Sequence, residues 1–297
     1  MRAIVGLCVA VLLSCTWVSR SIAEQTSTWI TQLPEETKAS IIWYADHETG
    51  DLSQWDPPNC KYPGAGIFNT GGEEAIAEAT DRVAHSGLFS VQATIRGAIR
   101  AQHGKRAVRL MRWTDRPWDQ GGSHLPKSAY YSTWMFLPKP YNSKKYDPWD
   151  PGDGGWWNVF QFKAEDENDV SQPTWVLNIG HDDRNGQLSV GLYSPINSPR
   201  SILQTNPKSL PIGHWFHVEV FFLVDSKNDG EITVWQDGVK ILHADQVKTA
   251  ICSKNEHAVW GIGNYTDHIT GGKTEGSCSI YFDDAAISTQ RVSQTIH

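Results

Sequence analysis

Cysteine is scarce in this chain. There are five among 297 residues, no pair is spaced Cys-x-x-Cys, and no two histidines are spaced His-x-x-x-His, so a zinc centre has no support in the pattern. Basic residues are outnumbered, with 26 Lys and Arg against 33 Asp and Glu. That balance excludes the broad cationic surface nucleic acid requires, while leaving room for a local Arg/Lys cluster on an anionic glycan. Long apolar runs are missing after the N-terminus, and nothing beyond it approaches the roughly 18 to 20 residues of a transmembrane helix.

The one apolar run, Ala3 to Leu13, follows Met1-Arg2 and precedes Ser21-Ile22-Ala23. It reads as a signal peptide over residues 1–23, cleaved after Ala23, with lipoprotein processing at Cys15 as the weaker alternative. The mature chain is expected to be secreted, periplasmic or on the cell surface, off the membrane, and monomeric. Loss of Arg2 and Arg20 takes the net charge from −7 to −9. Cys60, Cys252 and Cys278 remain, and in an oxidising compartment a Cys252–Cys278 disulfide is expected.

What is abundant is tryptophan, 14 residues, together with short Val-, Ile-, Phe- and Tyr-rich runs bounded by Gly, Pro, Asn and Asp. Residues 24–40 read as a polar tail. From Ile41 the alternation predicts strands at 89–95, 107–113, 130–137, 158–163, 174–180, 188–193, 215–224, 231–236, 258–265 and 279–288. Asn185-Gly186 and Asp237-Gly238 are hairpin signals, and Asn228-Asp229-Gly230 is a third turn. Residues 73–82 fit a short helix or an edge strand. The 141–155 segment is a Pro/Gly/Asp loop of a length usually found at functional sites. The expected fold is all-β: one antiparallel sandwich of jelly-roll type spanning residues 41–297. Most tryptophans belong in its core; Trp118, Trp149, Trp156 and Trp157 sit in or beside loops where an indole can stack on sugar.

In a jelly roll one sheet presents an open concave face, so alternate residues of its central strands line a groove. Phe160 and Phe162 are expected inward, and Val159, Gln161 and Lys163 outward. Arg106, Arg109 and Arg112 form a basic stripe suited to carboxylates, or alternatively a charged edge strand. Asn264-Tyr-Thr266 is a chance-level glycosylation sequon.

Several segments carry a family likeness: Tyr130–Pro138, Val159-Phe-Gln-Phe-Lys163, Pro173-Thr-Trp-Val-Leu-Asn178, Gly213-His-Trp-Phe-His-Val218, Asp229-Gly-Glu-Ile-Thr-Val-Trp-Gln-Asp-Gly238 and Gly261-Ile-Gly-Asn-Tyr265. Together they resemble the heparin-lyase-like, glucuronan-lyase-like and alginate-lyase-like jelly-roll polysaccharide lyases, over most of 41–288. The Asp229–Gly238 element is also shared with lectin-like sandwiches.

The resemblance implies β-elimination on an acidic polysaccharide. One group neutralises the uronate carboxylate, a base removes the C5 proton, and a tyrosine protonates the leaving oxygen. It assigns the glutamine role to Gln161 and the tyrosine role to Tyr265. It also places Arg109 and Arg112 at the substrate carboxylate, with Lys163, Asn178 and Trp157 as further substrate-binding residues. Two departures stand out. The usual Gln-x-His is Gln161-Phe-Lys163 here, and a lysine common on the tyrosine strand is Gly261. The missing histidine is expected from His124 or His181, or Lys163 serves as base if desolvated. In similar sandwiches a terminal acidic pair and a late aspartate hold structural Ca²⁺, which points to Asp46, Glu48 and Asp283. The alternatives are a non-catalytic carbohydrate-binding module on the same fold, and a retaining hydrolase using Glu219 and Glu231.

Overall fold

The computed structural model describes residues 27–56, 68–70, 75–96, 106–117, 120–138, 157–181, 187–198, 200–266 and 277–293. Two short helices, α1 (Trp29–Gln32) and α2 (Glu35–Ser40), precede the strands. These are β1 (Ile41–Ala45), β2 (Phe68–Thr70), β3 (Ala75–Thr80), β4 (Ser90–Arg96), β5 (Arg106–Arg112), β6 (Ser128–Phe136), β7 (Trp157–Glu165), β8 (Ser171–His181), β9 (Leu188–Tyr193), β10 (Ser201–Ile202), β11 (Trp215–Leu223), β12 (Gly230–Gln236), β13 (Val239–Val247), β14 (Val259–Thr266) and β15 (Ser277–Ser288). One sheet runs β13-β12-β11-β6-β15-β4-β3, with β1 also on β15; the other runs β10-β9-β8-β7-β14-β5-β2. All the strand pairings are antiparallel, both between chain neighbours such as β7/β8 and β11/β12 and between distant strands such as β7/β14 and β6/β15. No helix among the described residues is long and apolar enough to cross a membrane.

The core lies between the sheets and is strongly aromatic. Phe162 of β7 stacks on Phe222 of β11 at 3.9 Å and 2°. Trp260 meets Trp43, Trp55, Tyr131 and Phe160, with centroids 5.4 to 5.9 Å apart. Large rings bury much apolar area for few frozen torsions, and interlocked aromatics hold the sheets in one register. Trp55, Trp113, Trp157, Trp175 and Trp260 are among the largest fully buried side chains. Trp118, Trp149 and Trp156, the 141–155 loop and Asn185-Gly186 lie outside the described residues.

The strands at 188–193 and the Asp237-Gly238 turn are where alternation and turn chemistry place them. Asp237 and Gly238 have φ of 49° and 74°, the double left-handed pair that a tight two-residue hairpin needs. Of the two readings of 73–82, the edge strand is found, as β3. Three expectations are corrected. Residues 27–40 are not a tail: Trp29 and Leu33 are buried against Ala286 and Val292. Strand β13 escapes the alternation because it is an edge strand, exposed along most of its length. Cys252 and Cys278 are not joined to each other: the Cys252 thiol donates to the Glu165 carbonyl at 3.5 Å, whereas Cys278 is buried in the main core.

Candidate active site

The concave face of the second sheet can be laid out from its register. Tyr193 on β9 pairs with Val176 on β8, Val176 with Gln161 on β7, Gln161 with Gly261 on β14, and Gly261 with Met111 on β5. A neighbouring row runs Gly191, Asn178, Asn158, Tyr265. Arg109 pairs with Gly263 between the rows. These positions open onto a groove of about 610 Å³ lined by Arg109, Asn158, Gln161, Pro173, Val176, Asn178, Tyr193, Pro195, Ser201 and Tyr265.

Two irregularities make the groove. Against β7, strand β14 carries an extra residue between Ile262 and Tyr265. Against β8, strand β7 carries one between Asn158 and Phe160. Such bulges re-aim side chains. Val159, expected outward, is therefore fully buried in the core, and Asn158 takes the groove position. The bulge on β14 is anchored by Asn264, whose amide nitrogen donates to Ala93 O at 3.0 Å and Cys278 O at 2.9 Å. Its oxygen accepts from Trp157 Nε1 at 2.9 Å. With Asn264 locked inward, Tyr265 is turned outward. Asn264 has no exposure, so the sequon is closed to glycosylation in the folded chain.

Tyr265 and Arg109 are in contact, the guanidinium carbon 4.2 Å from the ring centre. Arg109 is 5 % exposed, and neither terminal nitrogen has a hydrogen-bond partner. Burial lowers its pKa to about 9, which leaves it cationic at neutral pH. A buried guanidinium with unspent donors is costly unless a ligand anion completes it. Lys163 is two residues along β7 from Gln161 on the same face, and pairs with the groove-lining Pro173. Burial, and then the charge on Arg109, lower its pKa to about 8. The site therefore joins a carboxylate receptor, amides from Gln161, Asn158 and Asn178, a phenol and an amine that gives up its proton near neutrality.

A model of the family described as polysaccharide lyase matches residues 47–286. The chain belongs to the polysaccharide lyase family. Its fold is similar to that of an endo-β-1,4-glucuronan lyase from the fungus Trichoderma reesei, with a TM-score of 0.57 at 18% identity over 84% of this chain and 96% of that one. A marine PL-14 alginate lyase from Aplysia kurodai is also similar, with a TM-score of 0.50 at 12% identity over 84% and 100%. No curated protein sequence matches. The protein is thus a carbon–oxygen lyase that acts on polysaccharide.

The lyase groove gathers Tyr265, Gln161, Arg109 and Asn178, with Lys163 beside them, but not the remaining sequence candidates. Arg112 faces inward, three residues from Arg109 and so on the opposite side of the strand, where it pairs with Asp56 at 2.8 Å. Trp157 is 1 % exposed and bound to Asn264, hence core. His124 is exposed outside the groove lining and stacked on His257 at 3.8 Å. The side chains of Arg106 and His181 lie outside the described residues. The lysine absent at 261 has no space: a Cβ there would come within 2.2 Å of the Met111 sulfur and 2.7 Å of Leu110 O.

Asp46, Glu48 and Asp283 accept hydrogen bonds from N–H donors, Asp46 and Glu48 through one oxygen each and Asp283 through both. Asp46 accepts from Gln54 and Glu48 N, Glu48 from Leu88 N and Phe89 N, and Asp283 from His85 N and Asp284 N. Among the described residues no group of three or more His, Cys, Asp or Glu could hold a metal. Glu219 is buried in the other sheet, bound to Arg291 and Val292 N, and Glu231 lies there too, bound to Thr233. Neither lines the groove, so the two-carboxylate hydrolase has no site here.

Tyr193, Pro173, Val176, Pro195, Ser201 and Asn158 were missed by sequence reasoning. Tyr193 was within reach, since Leu188, Val190 and Leu192 alternate inward and leave Ser189, Gly191 and Tyr193 outward.

Proposed function

We propose that the protein is a secreted lyase, exported by residues 1–23, whose groove cleaves an anionic uronan with Lys163 as base and Tyr265 as acid. Arg109 receives the uronate carboxylate, aided by the Gln161 amide, and withdraws charge so that the C5 proton becomes acidic. Neutral Lys163 removes that proton. The electron pair forms the C4–C5 double bond, the C4–O bond breaks, and the Tyr265 hydroxyl protonates the departing glycosidic oxygen. The products are an unsaturated uronate and a new reducing end; solvent then takes the proton from Lys163 and gives one back to Tyr265.

The observation that carries this reading is the buried, unpartnered Arg109 guanidinium lying against Tyr265 in the groove. Lys163 is favoured as the base because it stands two residues from the groove-lining Gln161 on the same face of β7, close enough to feel the charge of Arg109, and because burial brings the amine near its working range. Glucuronan, the substrate named for the Trichoderma reesei relative, is the first polymer to test; alginate, heparin and pectin follow.

The test is the near-ultraviolet absorbance of unsaturated uronate during incubation with each polymer. A rise on one polymer, lost in Tyr265→Phe and in Lys163→Met, supports the assignment. Retention of a uronan with no rise on any polymer would move the protein to a binding role.

A further inference from the structure

The groove extends well past the elimination centre. Tyr265 stands on β14 and Tyr193 on β9, three strand spacings away, a span of about 14 Å. That is room for a few linked pyranose rings running across the strands. Away from β7 the lining changes character: Pro173 and Val176 on β8 lead to Tyr193 and Pro195 at the far end, which offer ring faces, with Ser201 as the polar group. An aromatic or proline ring matches the C–H face of a pyranose.

The far wall is also built to be rigid. Ser194 N donates to Arg200 O at 2.7 Å, and Ser194 Oγ to Thr174 O at 2.7 Å. Asn197 Nδ2 donates to Ser194 Oγ at 2.8 Å and to Lys248 O at 2.7 Å, and Lys248 N donates back to Asn197 Oδ1 at 2.9 Å. Four hydrogen bonds and a reciprocal one thus fix the turn between Tyr193 and β10, although it lies at the sheet edge. A wall ordered before binding loses little entropy when a sugar docks.

We propose that Tyr193, with Pro195, forms a distal sugar-stacking subsite that makes the enzyme select for substrate length. The inference rests on the lyase reading of the same groove. Tyr193 is a specificity residue: it grips a ring away from the scissile bond and fixes the register of the chain over Arg109 and Tyr265.

The experiment uses size-defined oligoglucuronates, disaccharide to octasaccharide, and the polymer. In the wild type kcat/KM should climb steeply once the chain reaches the far wall, then level off. Tyr193→Ala should flatten that climb, lowering kcat/KM on long chains by roughly tenfold through KM, with the shortest cleaved oligosaccharide unaffected. Tyr193→Phe, which keeps the ring, should retain the wild-type profile. An equal loss on all lengths, or no loss on any, overturns the proposal. Titration of the same oligosaccharides into the Tyr265→Phe protein reads the subsite without chemistry. Failure of the wild type to cleave sinks the lyase reading alone, whereas affinity independent of length, or of Tyr193, sinks this one.

Discussion

The Arg109 guanidinium lies 4.2 Å from the centre of the Tyr265 ring, with both terminal nitrogens unpartnered, while Arg112 on the same strand is spent in a 2.8 Å ion pair with Asp56. One strand thus carries a cation kept open for a ligand and a cation consumed by the fold. The alternation of the strand separates them.

That contrast predicts opposite phenotypes. Arg109→Met strands no protein partner, so its melting temperature should match or exceed the wild type, while turnover falls by roughly two to three orders of magnitude. Arg112→Met leaves the buried Asp56 carboxylate without its counter-ion and should cost about 3–5 kcal/mol. Denaturant unfolding and the absorbance assay on both variants check this; a stable Arg112→Met protein would remove the distinction.

Lys163 sets a pH limb. Burial and Arg109 hold its pKa at about 8, and the base must be neutral, so kcat/KM should rise as pH increases through about 8. Lys163→Arg should lose activity across the range, since a guanidinium stays protonated. Arg109→Met removes a repelling charge, so the Lys163 pKa should move up; following the lysine by NMR in that variant reads the shift directly.

Asn264 holds the bulge that presents Tyr265. Asn264→Ala removes three buried hydrogen bonds, to the Ala93 and Cys278 carbonyls and from the Trp157 indole N–H, a loss of about 2–4 kcal/mol. Activity should fall further than the folded fraction does, because the tyrosine loses its fixed direction. Comparing unfolding curves with turnover at a temperature where the variant is folded separates the two effects.

His217 should give the fold an acid-sensitive step. It is buried with neither ring nitrogen hydrogen-bonded, and burial lowers its pKa from 6.5 to about 3. Below about pH 6.5 the unfolded chain therefore takes up a proton that the native chain refuses, so stability is lost as pH falls from 6.5 toward 3. In His217→Phe that part of the decline should disappear from melting temperatures measured across the range. An unchanged slope would assign the loss to other groups.

Much of this protein was legible along the chain because its strands alternate. The period-two pattern of β9 and the Asp237-Gly238 turn specify local geometry that the rest of the fold has only to accept. Tyr265, Gln161, Asn178 and Arg109 were reachable the same way, together with the family resemblance. What alternation could not supply was the effect of one extra residue. The bulges in β7 and β14 sent Val159 inward and brought Asn158 into the groove, and the packing of Met111 and Leu110 left no room for a side chain at 261. Nor could the sequence assign one arginine to Asp56 and leave the other without a partner, since that depends on a residue more than fifty positions away. Residues 27–40 looked like a tail because their apolar members are few, yet the outer face of a sheet gives Trp29 and Leu33 a place to be buried. Amino-acid order determined the strands, their turns and the chemistry available; only the packed sheets decided which groups face one another, because long-range register and burial are properties of neighbours and not of sequence.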